Sequence, residues 1–202
     1  MEPQDLRIYL VRHGETAWSR SGQHTGRTDM QLSEPGEAEA KALAPWLRGI
    51  HFGRVLTSPL RRARRTCELA GLGRTVAADA NLEEWNYGKF EGLTSAQIHL
   101  DRPDWLIYRD GAPGGETPSE VSDRADQVIA QMTTLHGNVA IFTHGHFGTV
   151  LGARWVGLPI LEAQHFSLST ASMSVLAYSP AHPETRVIAL WNANPATLRD
   201  GG

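Results

Sequence analysis

Short apolar runs alternating with amphipathic stretches restrict the fold of this chain more than any other feature. LRIYLVR (Leu6–Arg12) and NVAIFTHG (Asn138–Gly145) are too brief for helices and apolar at successive positions. Such runs read as strands buried on both faces. RVLTS (Arg54–Ser58) is another, and TVAAD (Thr75–Asp79) a weaker one. Between them, SEPGEAEAKALAPWLRG reads as a helix with Ser33 as N-cap and Pro35 in the first turn; Pro45 falls where it should kink or end it. PLRRARRTCELAG follows as a helix capped by Ser58, opened by Pro59 and closed near Gly71. SEVSDRADQVIAQMTTL puts Val121, Ala125, Val128, Ile129 and Met132 on one face of a long helix, and FGTVLGARWVG is a further helix. SMSVLAYSP and TRVIALWN, separated by Pro180 to Glu184, read as a closing hairpin, with a frayed end from Ala193.

Strands alternating with helices predict an α/β fold. We expect a three-layer α/β/α sandwich whose central sheet has about six strands, mostly parallel, with an antiparallel strand near the C-terminal hairpin. No repeat or linker divides the chain, so residues 1–202 read as a single domain. Within it, 80–118 has tryptophans, glycines and prolines without a period. It reads as an irregular, substrate-covering excursion with a short helix near Ser95 to Leu100.

Charge and cysteine usage remove several function classes. The net charge is -3, which favours neither nucleic acid nor a membrane surface. No apolar stretch approaches the ~20 residues of a spanning helix. The single cysteine, Cys67, allows no internal disulfide and no cysteine-based zinc site, in keeping with a cytoplasmic protein.

In an open parallel sheet, ligands bind beyond the carboxyl ends of the strands. Arg12 and His13 end the first strand, Ser58 the second, with Arg61 and Arg62 just after it, and Thr143 and His144 the fourth. These groups should therefore share one rim. Two arginines and two histidines near a helix N-terminus make a positive pocket suited to a phosphoryl group. The guanidinium groups disfavour protonation of the imidazoles, and a neutral imidazole can attack phosphorus. The leaving alcohol needs a proton. NLEEWNYGKFEG offers Glu83, Glu84 and Glu91, and a glutamate desolvated beside Trp85 and Tyr87 would have a raised pKa. Spacing alone does not choose among the three. His144 and His146 form an H-x-H pair, but in a strand they would face opposite ways and nearby arginines would repel a cation. We expect no metal and no cofactor.

LVRHGET resembles the signature of the histidine phosphatase superfamily, which includes the cofactor-dependent phosphoglycerate mutases. The likeness continues in order through GRTDMQLSEPGEAEA, TSPLRRARRT, LEEWNYGKFEG and FTHGHF, from Leu6 to about Trp155. The resemblance implies that His13 becomes phosphorylated, that Arg12 and Arg62 hold the phosphate, and that His144 contacts the transferring group. It implies that Glu84 is the acid–base carboxylate and leaves Arg61 as a bystander or substrate contact. Thr25 and Gly26 fall among the implied phosphate- or substrate-binding residues. Ser19 stands where the family often has asparagine, and its shorter side chain puts tight phosphate binding there in doubt.

The compact segment between Gly92 and Gly114 lacks the longer insertion of mutases resembling this family, which favours hydrolysis over transfer to a second substrate. A mutase is the alternative, and a non-catalytic phosphate binder a more distant one. SGQHTGRTD, EEWNYGKFEGLT and WLIYRDGAPGGET look like a branch containing sugar bisphosphatases, such as sedoheptulose bisphosphatase, and broad acid phosphatases. On that reading His24, Arg27, Trp105, Arg109 and His146 line the substrate's distal half, with an arginine meeting a second phosphate. The expected partner is a small phosphorylated metabolite, with an acidic to neutral pH optimum. Exposed apolar residues on the late hairpin are a candidate homodimer contact.

Overall fold

The computed structural model describes residues 5–74 and 76–195. Six strands form one sheet: β1 (Arg7–Arg12), β2 (Phe52–Thr57), β3 (Val76–Ala78), β4 (Asn138–Thr143), β5 (Met173–Tyr178) and β6 (Arg186–Ala193). Their order is β3-β2-β4-β1-β5-β6. The contacts β1–β4, β2–β4 and β2–β3 are parallel, and β5 runs antiparallel to both β1 and β6. The helices are α1 (Ala17–Ser21), α2 (Glu34–Ala42), α3 (Ala44–Leu47), α4 (Arg61–Leu69), α5 (Ser95–Asp101), α6 (Ile107–Asp110), α7 (Pro118–Met132) and α8 (Gly145–Trp155).

The period of two along each strand divides the core between the two faces of the sheet. Ile8, Leu10, Leu56, Val139 and Ile141 pack on one side with Val121, Val128 and Ile129 of α7 and Val150 of α8. Val11, Val55, Ala140 and Phe142 pack on the other with Leu43, Leu47 and Cys67 from the α2–α4 side. The result is the three-layer α/β fold that the alternation predicts. The expected face of α7 is fully buried, and the helix is started by a capping box between Thr117 and Glu120 with Pro118 in its first turn. Pro45 acts as expected: the helix from Ser33 breaks at Leu43 and resumes as the short α3.

Several local expectations are corrected. Ser58 is not a helix cap, because α4 starts at Arg61 with Leu60 in the N-cap position and no side-chain bond there. β4 stops at Thr143, and His144 is the N-cap residue of α8. His144 and His146 therefore belong to a helix start, not to alternating positions of a strand. The 80–118 segment is less irregular than its composition suggests. It carries α5, α6 and two 3-10 turns, and it is held to the core by Trp85, Tyr87, Trp105 and Ile107. Ala193 is still in β6, and Asn194 donates to the carbonyl of Thr170, so fraying does not begin there. Thr75 and residues 196–202 lie outside the described residues. Among the described residues no helix is long and apolar enough to cross a membrane.

Candidate active site

Strand register gathers the site. Arg12 pairs with Thr143 across β1 and β4, and Thr57 pairs with Phe142 across β2 and β4. Arg12, Ser58 and His144 thus leave the sheet at one rim, and the backbone N–H of His13 donates to the carbonyl of Thr143 at 3.0 Å. The expected convergence of these sequence-distant groups is present.

Hydrogen bonds fix the state of both histidines. Nδ1 of His13 lies 2.7 Å from the carbonyl of Gly14. A carbonyl only accepts, so Nδ1 carries the proton and Nε2 keeps its lone pair. Burial, together with Arg62 and Arg12, holds the His13 pKa well below the usual histidine value. His144 is fully buried, with its ring centre 5.2 Å from that of His13. Nδ1 of His144 accepts from Nε of Arg62 at 3.1 Å, so Nε2 carries the proton and donates to the hydroxyl of Ser58 at 2.8 Å. Burial and Arg62 keep this ring neutral as well.

Arg62 is buried and Arg12 half-buried, and among the described residues neither has a carboxylate bonded to it. Arg62 is 0% exposed and donates to the carbonyls of Thr28 at 2.9 Å and Gly26 at 2.7 Å. Arg12 donates to the carbonyl of Leu168, and its buried Nε has no partner among the described residues. Its guanidinium packs close to Gly145, where a Cβ would sit 3.3 Å from the guanidinium carbon. Arg124 shows the contrasting case, an arginine held by both oxygens of Glu116. Buried charge is costly unless balanced, so two guanidinium groups with only neutral partners call for an anion.

The loop that holds Arg62 is itself held by Glu91. The Glu91 carboxylate accepts from the backbone N–H of Arg27 at 2.8 Å, and from the N–H and hydroxyl of Thr28 at 3.0 and 2.6 Å. Gly26 makes this turn at φ +54°, and a Cβ there would approach Glu91 Oε1 to 2.1 Å.

Glu84 is the carboxylate that the fold brings to the histidines. Its oxygens accept from the backbone N–H groups of Trp85 at 2.9 Å, Phe147 at 2.8 Å and His146 at 3.1 Å. Burial pushes its pKa up, but His146, the amides of Phe147 and Trp85, and Arg62 outweigh burial, and the carboxyl stands below its usual value. This corrects the expectation of a raised pKa: the carboxylate sits on the N-terminus of α8, where negative charge is favoured. Glu83 pairs with Arg27 at 3.3 Å instead.

Arg12, His13, Arg62 and Glu84 line a cleft of about 250 Å³ together with Ser19, His24, Thr25 and His146; His144 is not part of the lining. Ser19 completes a capping box with Thr16, accepting from its N–H at 2.8 Å and donating to its carbonyl at 3.1 Å. Its hydroxyl proton is thus engaged within the chain. Gly26 acts through its carbonyl. Besides Gly26, three expected substrate contacts fall outside the cleft lining. Arg27 is exposed and tied to Glu83. Arg109 is exposed and paired with Asp110. Trp105 is buried behind His24, its indole N–H donating to the carbonyl of Gly111 at 2.8 Å. Sequence reasoning missed Tyr87 and Tyr108 as cleft residues. Neither lies in a strand-end motif; both arrive on the 80–118 segment. Among the described residues no group of three or more His, Cys, Asp or Glu side chains is arranged to hold a metal ion.

A model of the histidine phosphatase superfamily (branch 1) matches residues 8–193. An acid phosphatase of Mycobacterium tuberculosis is 38% identical over 195 residues, spanning 94% of this chain and 95% of that protein. Sedoheptulose 1,7-bisphosphatase of Saccharomyces cerevisiae is 32% identical, over 76% of this chain and 69% of its own. A probable phosphoglycerate mutase GpmB of Erwinia tasmaniensis is also 32% identical, over 84% and 83%. Among solved structures, that of a Mycobacterium tuberculosis open reading frame product superposes with a TM-score of 0.90 at 36% identity, covering 95% of this chain and all of the other.

Proposed function

The chain belongs to the histidine phosphatase superfamily, and from there we propose that it hydrolyses phosphomonoesters through a phosphohistidine formed on Nε2 of His13. One observation carries the reading. The bare Nε2 of a neutral, buried imidazole lies beside the buried guanidinium of Arg62 and the half-buried one of Arg12, neither bonded to a carboxylate among the described residues. That is a nucleophile beside a seat shaped for an anion.

The ester's phosphoryl oxygens sit against Arg12 and Arg62, whose two positive charges match a dianion. Nε2 of His13 forms a bond to phosphorus as the bond to the leaving oxygen breaks on the opposite side. Glu84 delivers its proton to that oxygen. Free, this carboxyl holds its proton poorly; a dianion beside it opposes its ionisation and compensates the arginines that favour it, so binding raises its pKa. Water then attacks the phosphohistidine, Glu84 takes the water's proton, and the electron pair of the P–N bond returns to Nε2. His144, with both nitrogens engaged, holds Arg62 in place.

Water as acceptor is supported by the 80–118 segment, which is docked into the core through Trp105, Ile107 and Tyr108 and carries no long insertion. The relatives named as phosphatases support hydrolysis as well. A sugar bisphosphate finds no anchor in Arg27 or Arg109, and the substrate class we propose is a small phosphomonoester.

A rapid-quench experiment with a ³²P-labelled ester tests this. We expect an acid-labile, base-stable label on the protein that is absent in His13→Ala. Phosphate release by the wild type with no such label at any time point would overturn the phosphohistidine. Incubation with 3-phosphoglycerate and 2,3-bisphosphoglycerate should release phosphate faster than it forms 2-phosphoglycerate; the reverse would make the protein a mutase.

A further inference from the structure

The half of the cleft beyond Arg12 and Arg62 differs in character from the half that holds the phosphate. Its surface comes from His24, Tyr87, Tyr108, His146, Phe166 and Leu168. Among the described residues the cleft lining contains no cation besides Arg12 and Arg62. We propose that this distal half receives the uncharged, flat ring of a phosphate monoester, and that it disfavours a leaving group bearing a second phosphate. The proposal rests on the phosphomonoesterase reading above and names its substrate class.

The geometry of the wall is that of a ring-binding surface. His24 stacks on Tyr87 with ring centres 4.6 Å apart and planes inclined by 25°. The His146 ring lies 5.4 Å from Tyr108 and 5.8 Å from His24. An incoming ring extends an aromatic cluster already present, gaining stacking as well as burial.

Each of the four polar rings of the wall already has one polar atom paired. The Tyr87 hydroxyl bonds Nδ1 of His146. The Tyr108 hydroxyl bonds that of Thr149 at 2.8 Å, and Nε2 of His24 bonds the Ser95 hydroxyl at 3.2 Å. Gln23, at the edge, donates to the carbonyl of Gly92 at 2.7 Å and accepts from Ser21 at 2.5 Å. Sugar hydroxyls entering here would give up water where both tyrosine hydroxyls, Nε2 of His24 and Nδ1 of His146 already have partners. A second phosphate would fare worse, losing its hydration with no cation to receive it. Burial keeps both His24 and His146 below the usual histidine pKa, so neither supplies positive charge at neutral pH.

Benzyl phosphate, propyl phosphate, glucose 6-phosphate and fructose 1,6-bisphosphate all release primary alcohols, so their comparison isolates recognition from leaving-group chemistry. We expect kcat/KM for benzyl phosphate to exceed that for each of the others by about tenfold or more. His24→Ala should shrink the benzyl-to-propyl ratio severalfold. A bisphosphate turned over as fast as benzyl phosphate, or a ratio untouched by His24→Ala, would overturn the proposal. Calorimetry with benzylphosphonate and propylphosphonate gives a second, turnover-independent readout on the wild type, also if the variant fails to fold. Tighter benzylphosphonate binding supports the ring subsite; equal affinities sink it. Should no ester be hydrolysed and no phosphohistidine form, the phosphatase reading fails by itself, and the phosphonate affinities still decide the subsite.

Discussion

Nε of Arg62 donates to Nδ1 of His144 at 3.1 Å, and this bond fixes the histidine as its neutral Nε2–H tautomer. The resemblance gives this histidine a contact with the phosphoryl group. The hydrogen bonds give it another task, since Ser58 takes its only N–H. We predict that ¹⁵N NMR will find His144 neutral in that tautomer from pH 5 to 8. A ring titrating near the ordinary histidine value would contradict the arrangement. His144→Phe leaves a buried guanidinium N–H unpaired, at a cost of about 1–3 kcal/mol, so kcat/KM should fall roughly 10- to 100-fold.

The position of Glu84 predicts the pH profile of catalysis. The first step needs His13 neutral and Glu84 protonated. The pKa of His13 lies well below 6.5, and that of Glu84 below 4.5. In the free enzyme kcat/KM should therefore be largest in acid and decline as pH rises through the lowered pKa of Glu84. For kcat the decline should move to higher pH, because bound phosphate raises the carboxyl's pKa. In Glu84→Gln the decline should vanish and the rate drop by ~10²–10⁴. A wild-type kcat/KM still rising above pH 8 would remove Glu84 as the acid.

Glu91 should influence phosphate affinity without touching phosphate. It holds 27–28 by three hydrogen bonds, and the carbonyls of Gly26 and Thr28 hold Arg62. Glu91→Ala should loosen that loop, raising KM and the Kd for inorganic phosphate by about tenfold while kcat changes less. Glu91→Gln keeps one carbonyl acceptor and should recover part of the loss. Unchanged phosphate affinity in Glu91→Ala would show that the loop needs no such support.

Residues fixed by local pattern were readable before the fold was known. The strand–rim rule placed Arg12, His13, Ser58, Arg62 and His144 together, because strand ends can be read from hydrophobic period and end signals. The choice of Glu84 over Glu83 and Glu91 came only through resemblance. All three share one irregular segment, and burial separates them by long-range packing against α8. The lowered pKa of Glu84 is hidden from the sequence for the same reason. Apolar neighbours in sequence announce desolvation, whereas His146 and the amide of Phe147, which oppose it, lie more than sixty positions away. Tyr87 and Tyr108 were invisible as cleft residues, since their register is set by docking into the core and not by any period.

Acid should weaken the fold while it favours catalysis. His13 and His144 are held well below the usual histidine pKa, chiefly by burial, and His24 is pushed down to about 4. In the unfolded chain all three titrate near 6.5. Between those limits the unfolded state binds protons that the native state refuses, so stability is fully present above about pH 6.5 and is lost as pH falls through the native values. For His24 alone the full loss is about 3 kcal/mol, complete only below pH 4. Glu84 acts in the same direction over a lower range, because its carboxylate is favoured in the native state. Thermal melts should give a Tm that is highest near pH 7 to 8 and falls continuously between pH 6.5 and 4. In His24→Phe one titrating group is removed while an aromatic ring is kept against Tyr87, so the acid-side slope should be shallower. A Tm that is flat from pH 7 to 4, or a slope identical in His24→Phe, would mean that His24 accepts its proton in the folded protein as readily as in the unfolded one. At pH 5, then, each folded molecule should turn over faster than at pH 7 and survive heating less well, and the pH optimum measured in a long assay should lie above that of the initial rate.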